Sequence, residues 1–551
     1  MSARRSIVVF GFLCFCLACS SSEDSDPPPT PTPTPTPTLT PTYTVGGTVS
    51  GLNGTLILRN NGVDDLTISA DGAFTFAMPL ATAATYAVTK VTTPSNQNCA
   101  VANGSGTISE ANVSNVSITC ANKAWTHPSS ISDNISQDGQ HASAPQVAMD
   151  NNGNAIITWY QSNGTHYQIF KSEYRSGSWT HPSSLSDNIS PDGAQAGDPQ
   201  VAMDNNGNAI IIWYQSDGSS NQIFKSEYRS GSWTHPSSLS DNISPDGQDA
   251  DGPQVAMDNN GNAIITWLQS DGTNIQIFKS EYRSGSWTHP SSLSDNISPD
   301  GQIALLHQVA MDDNGNAIIT WYQSDGTNDQ IFKSEYRSGS WTHPSSLSDN
   351  ISPDGEVAVD SQVAMDNNGN AIITWYQSDG TNSQIFKSEY RSGSWTHPSS
   401  LSDNISPDGQ NAARPQVAMD DNGNAIITWL QSNISQIFKS EYRSGSWTHP
   451  SSLSDNISPD GQSAIDPQVV MDNNGNAIIT WYESDGLKDQ IFKSEYRSGS
   501  WTHPFNNSDN ISRDLEHANA PQVAMDNNGN AIITWYQSNG FNNQIFKSEY
   551  R

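Results

Sequence analysis

The tetrapeptide Trp-Thr-His-Pro begins at Trp125, Trp179, Trp233, Trp287, Trp341, Trp395, Trp447 and Trp501, a spacing of 54 residues shortened once to 52. A period of this length restricts the chain to architectures that stack one supersecondary unit on its own copies. Each unit holds four strand-like runs. In one copy they are "PQVAMD" (199–204), "NAIIIWYQ" (208–215), "NQIFKSEYR" (221–229) and "SWTHPS" (232–237), named here strands A to D. The turns between them, "NNG", "SDGSS" and "SG", supply Gly and Asn where hairpins need positive φ. Strand B is apolar on both faces, with Ala209, Ile211 and Trp213 alternating against Ile210 and Ile212, as a sheet covered on both sides requires. Pro236 puts strand D at the outer edge, where a missing N–H faces water.

The phase of the repeat separates an open stack from a ring. The repeat opens on a D strand, "WTHPSS" (125–130), and its last copy stops on a C strand, "QIFKSEYR" (544–551). An open stack would leave both ends unpaired and would need capping units, which the sequence does not contain. A ring solves both problems by lending the first strand to the last sheet. The expected fold is all-β: an eight-bladed β-propeller of four-stranded blades closed by strand exchange.

Against this copying, two short windows are rewritten in every unit. The first follows "SPDG" and reads QHASAP (140–145), AQAGDP (194–199), QDADGP (248–253), QIALLH (302–307), EVAVDS (356–361) or QNAARP (410–415). Its third place is always Ala, which predicts burial. The second place holds His141, Gln195, Asp249, Ile303, Val357, Asn411 and His517. The fourth includes Asp251, Leu305, Val359 and Ile465, and the fifth Asp198, Leu306, Asp360, Arg414 and Asp466. The other window precedes each "QIF", with Tyr167, Asn221, Ile275, Asp329, Asp489 and Asn543 beside changeable neighbours such as His166, Lys488 and Phe541. The first window lies in the D–A connection and the second in the B–C turn, so both are expected on one face.

Drift in tolerant loops would also vary such positions. It predicts equal change in "DNNGN", "SGS", "SLSDNISPDG" and the run Lys225-Ser226-Glu227, all of which barely change between copies. Localised variety on a homogenised scaffold points instead to contact with a partner, or to evasion of one. Ile303, Leu305, Leu306, Val357 and Val359 are expected to form an apolar patch there.

The runs "VAMDNNGNAIITWYQSDG" and "IFKSEYRSGSW" resemble the blade pattern of sialidase-like proteins and of fucose-binding propeller lectins across 125–551. The sialidase likeness implies a glycosidase with an aspartate box, an arginine cluster and a tyrosine–acid pair. "MDNNGNAIITW" has the wrong box spacing, and Arg414 and Arg513 are the only arginines of the repeats outside the recurring "SEYR". Repetition leaves no singular acid and nucleophile, so catalysis is not expected and no cofactor is implied. The lectin likeness implies multivalent sugar binding on recurring aromatic and charged groups, Trp159, Tyr160, Glu173, Tyr174 and Arg175 in the first unit. Burial at unit interfaces is the competing reading for Trp159. "MDNNGN" opens like a calcium loop, but its Gly comes early and no Glu closes it, so a hairpin turn and no metal are expected.

The segments before the repeat point to export. Residues 1–19 read as a signal: Arg4 and Arg5, a short apolar run, then Leu17-Ala18-Cys19. This resembles a bacterial lipoprotein signal, which implies lipidation of Cys19 and anchorage at an outer membrane or cell surface; a plain secretory signal is the alternative. Residues 20–42 carry the alternating Pro-Thr run of a stiff stalk. Residues 43–122 read as a small β-sandwich resembling immunoglobulin-like spacers, and 123–551 as the propeller. Cys99 and Cys120 are expected to form a disulfide worth about 3 kcal/mol. A net charge of −32 excludes nucleic acid and anionic lipid as partners. The favoured reading is a monomeric, surface-anchored protein that binds a macromolecule, a protein more readily than a glycan, through the variable face.

Overall fold

The computed structural model describes residues 41–551 except Ser95 and Leu515; the signal with Cys19 and nearly all of the stalk lie outside the described residues. From Thr42 to Asn122 the chain forms two four-stranded sheets and a short two-stranded pair. One sheet runs Gly72–Thr75, Val45–Ser50, Val113–Asn122, Gln97–Ala102, and the other Asp64–Ile68, Leu56–Asn60, Thr85–Thr92, Ser105–Thr107. Val45–Ser50 and Val113–Asn122 pair in parallel, the other neighbours antiparallel. Their facing alternate residues, among them Val45, Leu58, Phe74, Val88 and Ile118, make one core. Cys99 and Cys120 stand directly opposite each other on adjacent strands and are joined by a disulfide.

The repeat forms eight further four-stranded antiparallel sheets. In the second unit strand A is Ala196–Met203, B Ala209–Ser216, C Asn221–Arg229 and D Ser232–Thr234. The last sheet takes its D strand from the front of the repeat: Trp125 pairs with Tyr550 and Thr126 with Glu549. Each apolar cluster straddles two neighbouring sheets. Ile210, Ile212 and Ile223 of the second unit pack on Ile265, Trp267 and Phe278 of the third. Ile532 and Ile545 of the eighth meet Ile157, Trp159 and Phe170 of the first, which closes the circle. The strand-B tryptophans, Trp159 included, are fully buried in these clusters.

A ring of turn amides repeats the closure. Backbone N–H of Asn151 donates to Asn205 Oδ1, Asn205 to Asn259, and so on round to Asn527, which donates to Asn151. At Asp313 and Asp421 the carboxylates accept from the amides of both neighbours. Within each turn Asp150 or its equivalent accepts from the Asn152 and Asn154 N–H groups and from the Asn154 amide, so its oxygens serve the hairpin.

Three expectations change in detail. Strand A starts at Ala196, three residues before "PQVAMD", so the third to sixth places of the first window belong to the innermost strand and not to a free connection. Strand D ends at Thr234, which leaves His235 and Pro236 beyond it. The segments whose constancy was set against drift are bonded scaffold: Asp187 accepts from the Ser183 and Ser184 N–H groups, Ile189 N–H donates to Ile169 O, and Ser226 is fully buried. Their constancy follows from structure, and it no longer argues for selection on the windows.

The small domain sits at the A–B-turn end of the ring. Lys123 Nζ donates to Asn528 O, and Lys90, Thr92 and Asn98 face Asn151 and Asn152 across a cavity of 320 Å³. The window-bearing face is the opposite end.

Candidate functional site

The two windows touch each other across unit boundaries. Outside the sixth unit, where strand C starts one residue later, the first residue of strand C is followed 28 residues on by the second place of the next unit's window. In five units the two are bonded. Tyr167 N–H donates to Gln195 Oε1 at 2.7 Å, Asn221 N–H to Asp249 Oδ1 at 2.8 Å, and Ser383 N–H to Asn411 Oδ1 at 2.9 Å. Asp489 N–H donates to His517 Nδ1 at 3.2 Å, and Asn543 N–H to His141 Nδ1 at 3.1 Å across the closure. Ile303 and Val357, in the same relation to Ile275 and Asp329, offer no acceptor. Both windows therefore share one face, and part of their variety is mutual.

Each strand A carries a bulge within its window. Pairing breaks between Ser143 and Gln146 and at the equivalent place in every unit. The fifth-place residues take φ between +46° and +58°, a region that favours glycine, although only Gly252 is one. The bulge turns Asp198, Leu306 and Arg414 outward while the third-place alanines stay buried. Ile303 (47% exposed), Leu306 (52%) and Val357 crown the fourth and fifth units; Leu305 and Val359 are half-buried beside them. Asp251 is exposed, as are His141, Gln195, Asp249 and His517. His166, Asp329, Asp360, Ile465, Asp466, Lys488, Asp489 and Asn543 are half-buried. Phe541 protrudes from its B–C turn at 89% exposure, and so does Leu487 at 87%. Leu487, the counterpart of Phe541 one unit earlier, was not singled out in the sequence.

Charges on this face are unevenly paired. Arg414 binds Asp466, His517 Nδ1 lies 3.0 Å from Asp489 Oδ2, and Lys488 is 4.0 Å from Glu516. Asp198 has no such cation: exposed as the residue is, local desolvation of its carboxyl, reinforced by the charge of Asp251, raises it above the usual range. The neighbouring Tyr214 hydroxyl is pushed up to about 12, first by burial and then by the same two aspartates.

The recurring aromatic and arginine residues lie elsewhere and are largely committed. Glu173 accepts from Arg175 Nε and from the indole N–H of Trp233 in the next unit, and also holds Lys171. Arg175 stacks on Tyr228, 3.9 Å from its ring centre, and donates to Gly207 O. The latch recurs around the circle, ending with Arg551 over Tyr174 and Trp179 donating to Glu549. Tyr174 and Arg175 are thus inter-unit fasteners, which corrects their reading as free sugar-binding groups.

Beside several of the latches lie clefts that the sequence reading missed. Three of them, of 380, 330 and 410 Å³, occupy equivalent junctions after the second, fourth and sixth units. The first is lined by Lys225, Glu227, Thr234, His235, Asn242 and, from the next unit, His289. His235 stacks on Trp233 at 5.6 Å and 10°, and its Nδ1 lies 2.9 Å from Ser226 Oγ. Burial, and then Lys171, lower its pKa, so the imidazole is neutral. In the later clefts His343 and His503 fall to about 4 for the same reasons. Burial alone would raise Glu227, but Lys225, Arg229 and Trp287 outweigh it and hold the carboxyl below its usual range. Each cleft therefore offers two carboxylates, Glu227 and Asp241 in the first, one cation and two neutral imidazoles. Among the described residues no group of three or more His, Cys, Asp or Glu is arranged to hold a metal ion.

No family model matches the chain, and no curated relative does. Similar solved structures include a polysaccharide lyase of the ulvan lyase family PL25 bound to its sugar (11% identity, TM-score 0.43, 70% of this chain and 97% of the other). The fucose-specific lectin of Aleuria aurantia is 16% identical with a TM-score of 0.32, covering 56% of this chain and 95% of the lectin. A protein of unknown function from Dyadobacter fermentans is 9% identical with a TM-score of 0.34, covering 75% and 96%. The Aleuria aurantia lectin is described as a six-bladed β-propeller; the present chain is an all-β protein of repeated four-stranded sheets.

Proposed function

We propose that the chain is an exported, multivalent glycan-binding protein, its eight sheets forming the blades of a closed β-propeller and its outer clefts holding sugar residues. The observation that carries this reading is the recurrence of one polar cleft, of saccharide size, at equivalent junctions. Sugar hydroxyls need donors and acceptors together. Thr234, Asn242, Glu227 and the imidazoles supply both, and the face of His235 turned away from Trp233 is a platform for a sugar ring. Repetition turns weak single sites into avidity. It also argues for binding over turnover, since an acid held ionised by two cations and copied round a ring is an acceptor and not a proton donor. Residues 1–19 would act as a lipoprotein-type signal with Cys19 as anchor, 20–42 as stalk, and 43–122 as an immunoglobulin-like spacer. A glycan array followed by calorimetry tests the reading. Several equivalent sites per chain are expected, and no binding to any glycan class would end it.

A second reading, recognition of a macromolecule by the window face, has its own support. That face lies opposite the small domain, so a chain anchored at its front would present it outward.

A further inference from the structure

We propose that the window face of the second to fifth units docks a cationic polypeptide segment with apolar side chains between its basic ones. This rests on the second reading above and is independent of the glycan clefts.

Ile275, Ile303, Leu306 and Val357 are exposed together on neighbouring units, and the small domain lies at the other end of the ring. Leu306 is held at φ +47°, where Gly252 shows what would relax the same place. An exposed leucine kept in that conformation is strained where glycine would not be.

Charge complementarity sets the occupant. Asp198, Asp251 and Asp329 lie on the same units without a paired cation, whereas Asp360 has the charge of Arg414 beside it. Local desolvation raises the Asp198 and Asp329 carboxyls, and in each case a neighbouring aspartate adds to it. All eight lysines and arginines between residues 196 and 396 are consumed by the latches, as Lys225 and Arg229 are by Glu227. The opposite half of the same face sets cations beside its acids, with Arg414 on Asp466 and Lys488 4.0 Å from Glu516. An uncompensated acidic rim around an apolar centre favours a ligand that brings cations and buries hydrocarbon. A second copy, with its own charge of −32, is repelled, and neutral glycans supply no cation.

The test uses the full chain and three labelled twelve-residue peptides: alternating Lys-Lys-Leu-Leu, the same with Ser for Leu, and the same with Glu for Lys. Anisotropy at 150 mM salt should show binding of the Lys-Leu peptide only. L305S/L306S should weaken it at least tenfold and D198N/D251N several-fold with a shallower salt dependence, both at unchanged Tm. I303S/V357S gives an independent arm if L305S/L306S misfolds. Equal binding by well-folded variants, or equal affinity for the Lys-Ser peptide, would overturn the proposal by showing unspecific attraction. So would absence of binding by the Lys-Leu peptide. Self-association abolished by L305S/L306S would put a second copy on the patch instead. Glycan binding measured on the same variants should stay constant, so failure here and failure of the clefts are distinguishable.

Discussion

The indole N–H of Trp481 donates to the Glu483 carboxyl at 2.8 Å, at a place where the other units hold glutamine. In those units the amide does two jobs: Gln215 accepts from Trp213 and donates to Pro191 O and Ala194 O. Glu483 can repeat this only when protonated, and its other oxygen is buried without a partner. Burial is the main reason its pKa rises to about 8, with Asp460 adding to it and Trp481 opposing. The folded form therefore holds a proton that the unfolded chain gives up near the ordinary carboxyl value. This contribution is complete below about 4.5, falls as pH rises, and is gone above about 8. E483Q should stabilise the ring by about 1–3 kcal/mol at pH 8 and hardly at all at pH 4.5. Melting curves of both proteins across that range check it; a gain independent of pH would mean the carboxyl is ionised throughout.

His307 carries the opposite sign. It stands where most units have proline, buried, with neither ring nitrogen bonded. Burial pushes its pKa to about 4, the neighbouring Thr266 backbone offsetting little. The unfolded chain takes up the proton first, so this contribution is whole above about 6.5 and is lost as pH falls toward 4. H307P restores the repeat residue at a bulge where no N–H is needed. It should gain about 1–3 kcal/mol at pH 7, and more at pH 5, read as the difference in Tm.

Much of this architecture could be read from the letters, for definite reasons. Ala142 and its seven equivalents were expected inside because a place that never varies within a varying window must be packed, and all are buried. The pairing of Trp125 with Tyr550 followed from phase alone. What escaped were relations that no local pattern encodes. The bulge left no mark, since residues as different as Arg414 and Ala520 share its positive φ. Glu173 reads in the sequence as a group free to meet a sugar because its indole partner, Trp233, lies 60 residues on and in the next unit. His235 looked like part of a marker until stacking on Trp233 and the neighbouring His289 placed it in a cleft.

Ring closure makes a third prediction. Trp125 not only pairs with Tyr550 but donates to Glu495 and lies under Lys493. A chain starting at residue 123 should melt like the intact repeat region. One starting at residue 129 exposes the edge of Asn543–Tyr550, and should melt several degrees lower and aggregate on dilution from denaturant. Equal melting of the two would show that the eighth sheet does without its borrowed strand.

The glycan reading has a prediction peculiar to ring geometry. Each described cleft takes one histidine from each of its two units, His235 with His289, His343 with His397, and His449 with His503. If every junction is built alike, substituting alternate units touches every cleft once. H181N/H289N/H397N/H503N keeps a side chain able to bond the buried serine, as His181 does with Ser172, so Tm should fall by only a few degrees. Glycan affinity should nevertheless drop about tenfold per site, on the order of 1.4 kcal/mol, at all sites together. Calorimetry distinguishes this from the alternative, since clefts acting singly would lose stoichiometry while the surviving sites kept their affinity. A quadruple variant that binds with the parent affinity and stoichiometry would remove the histidines from the sugar site, leaving the latch carboxylates such as Glu227 to account for any binding that remained.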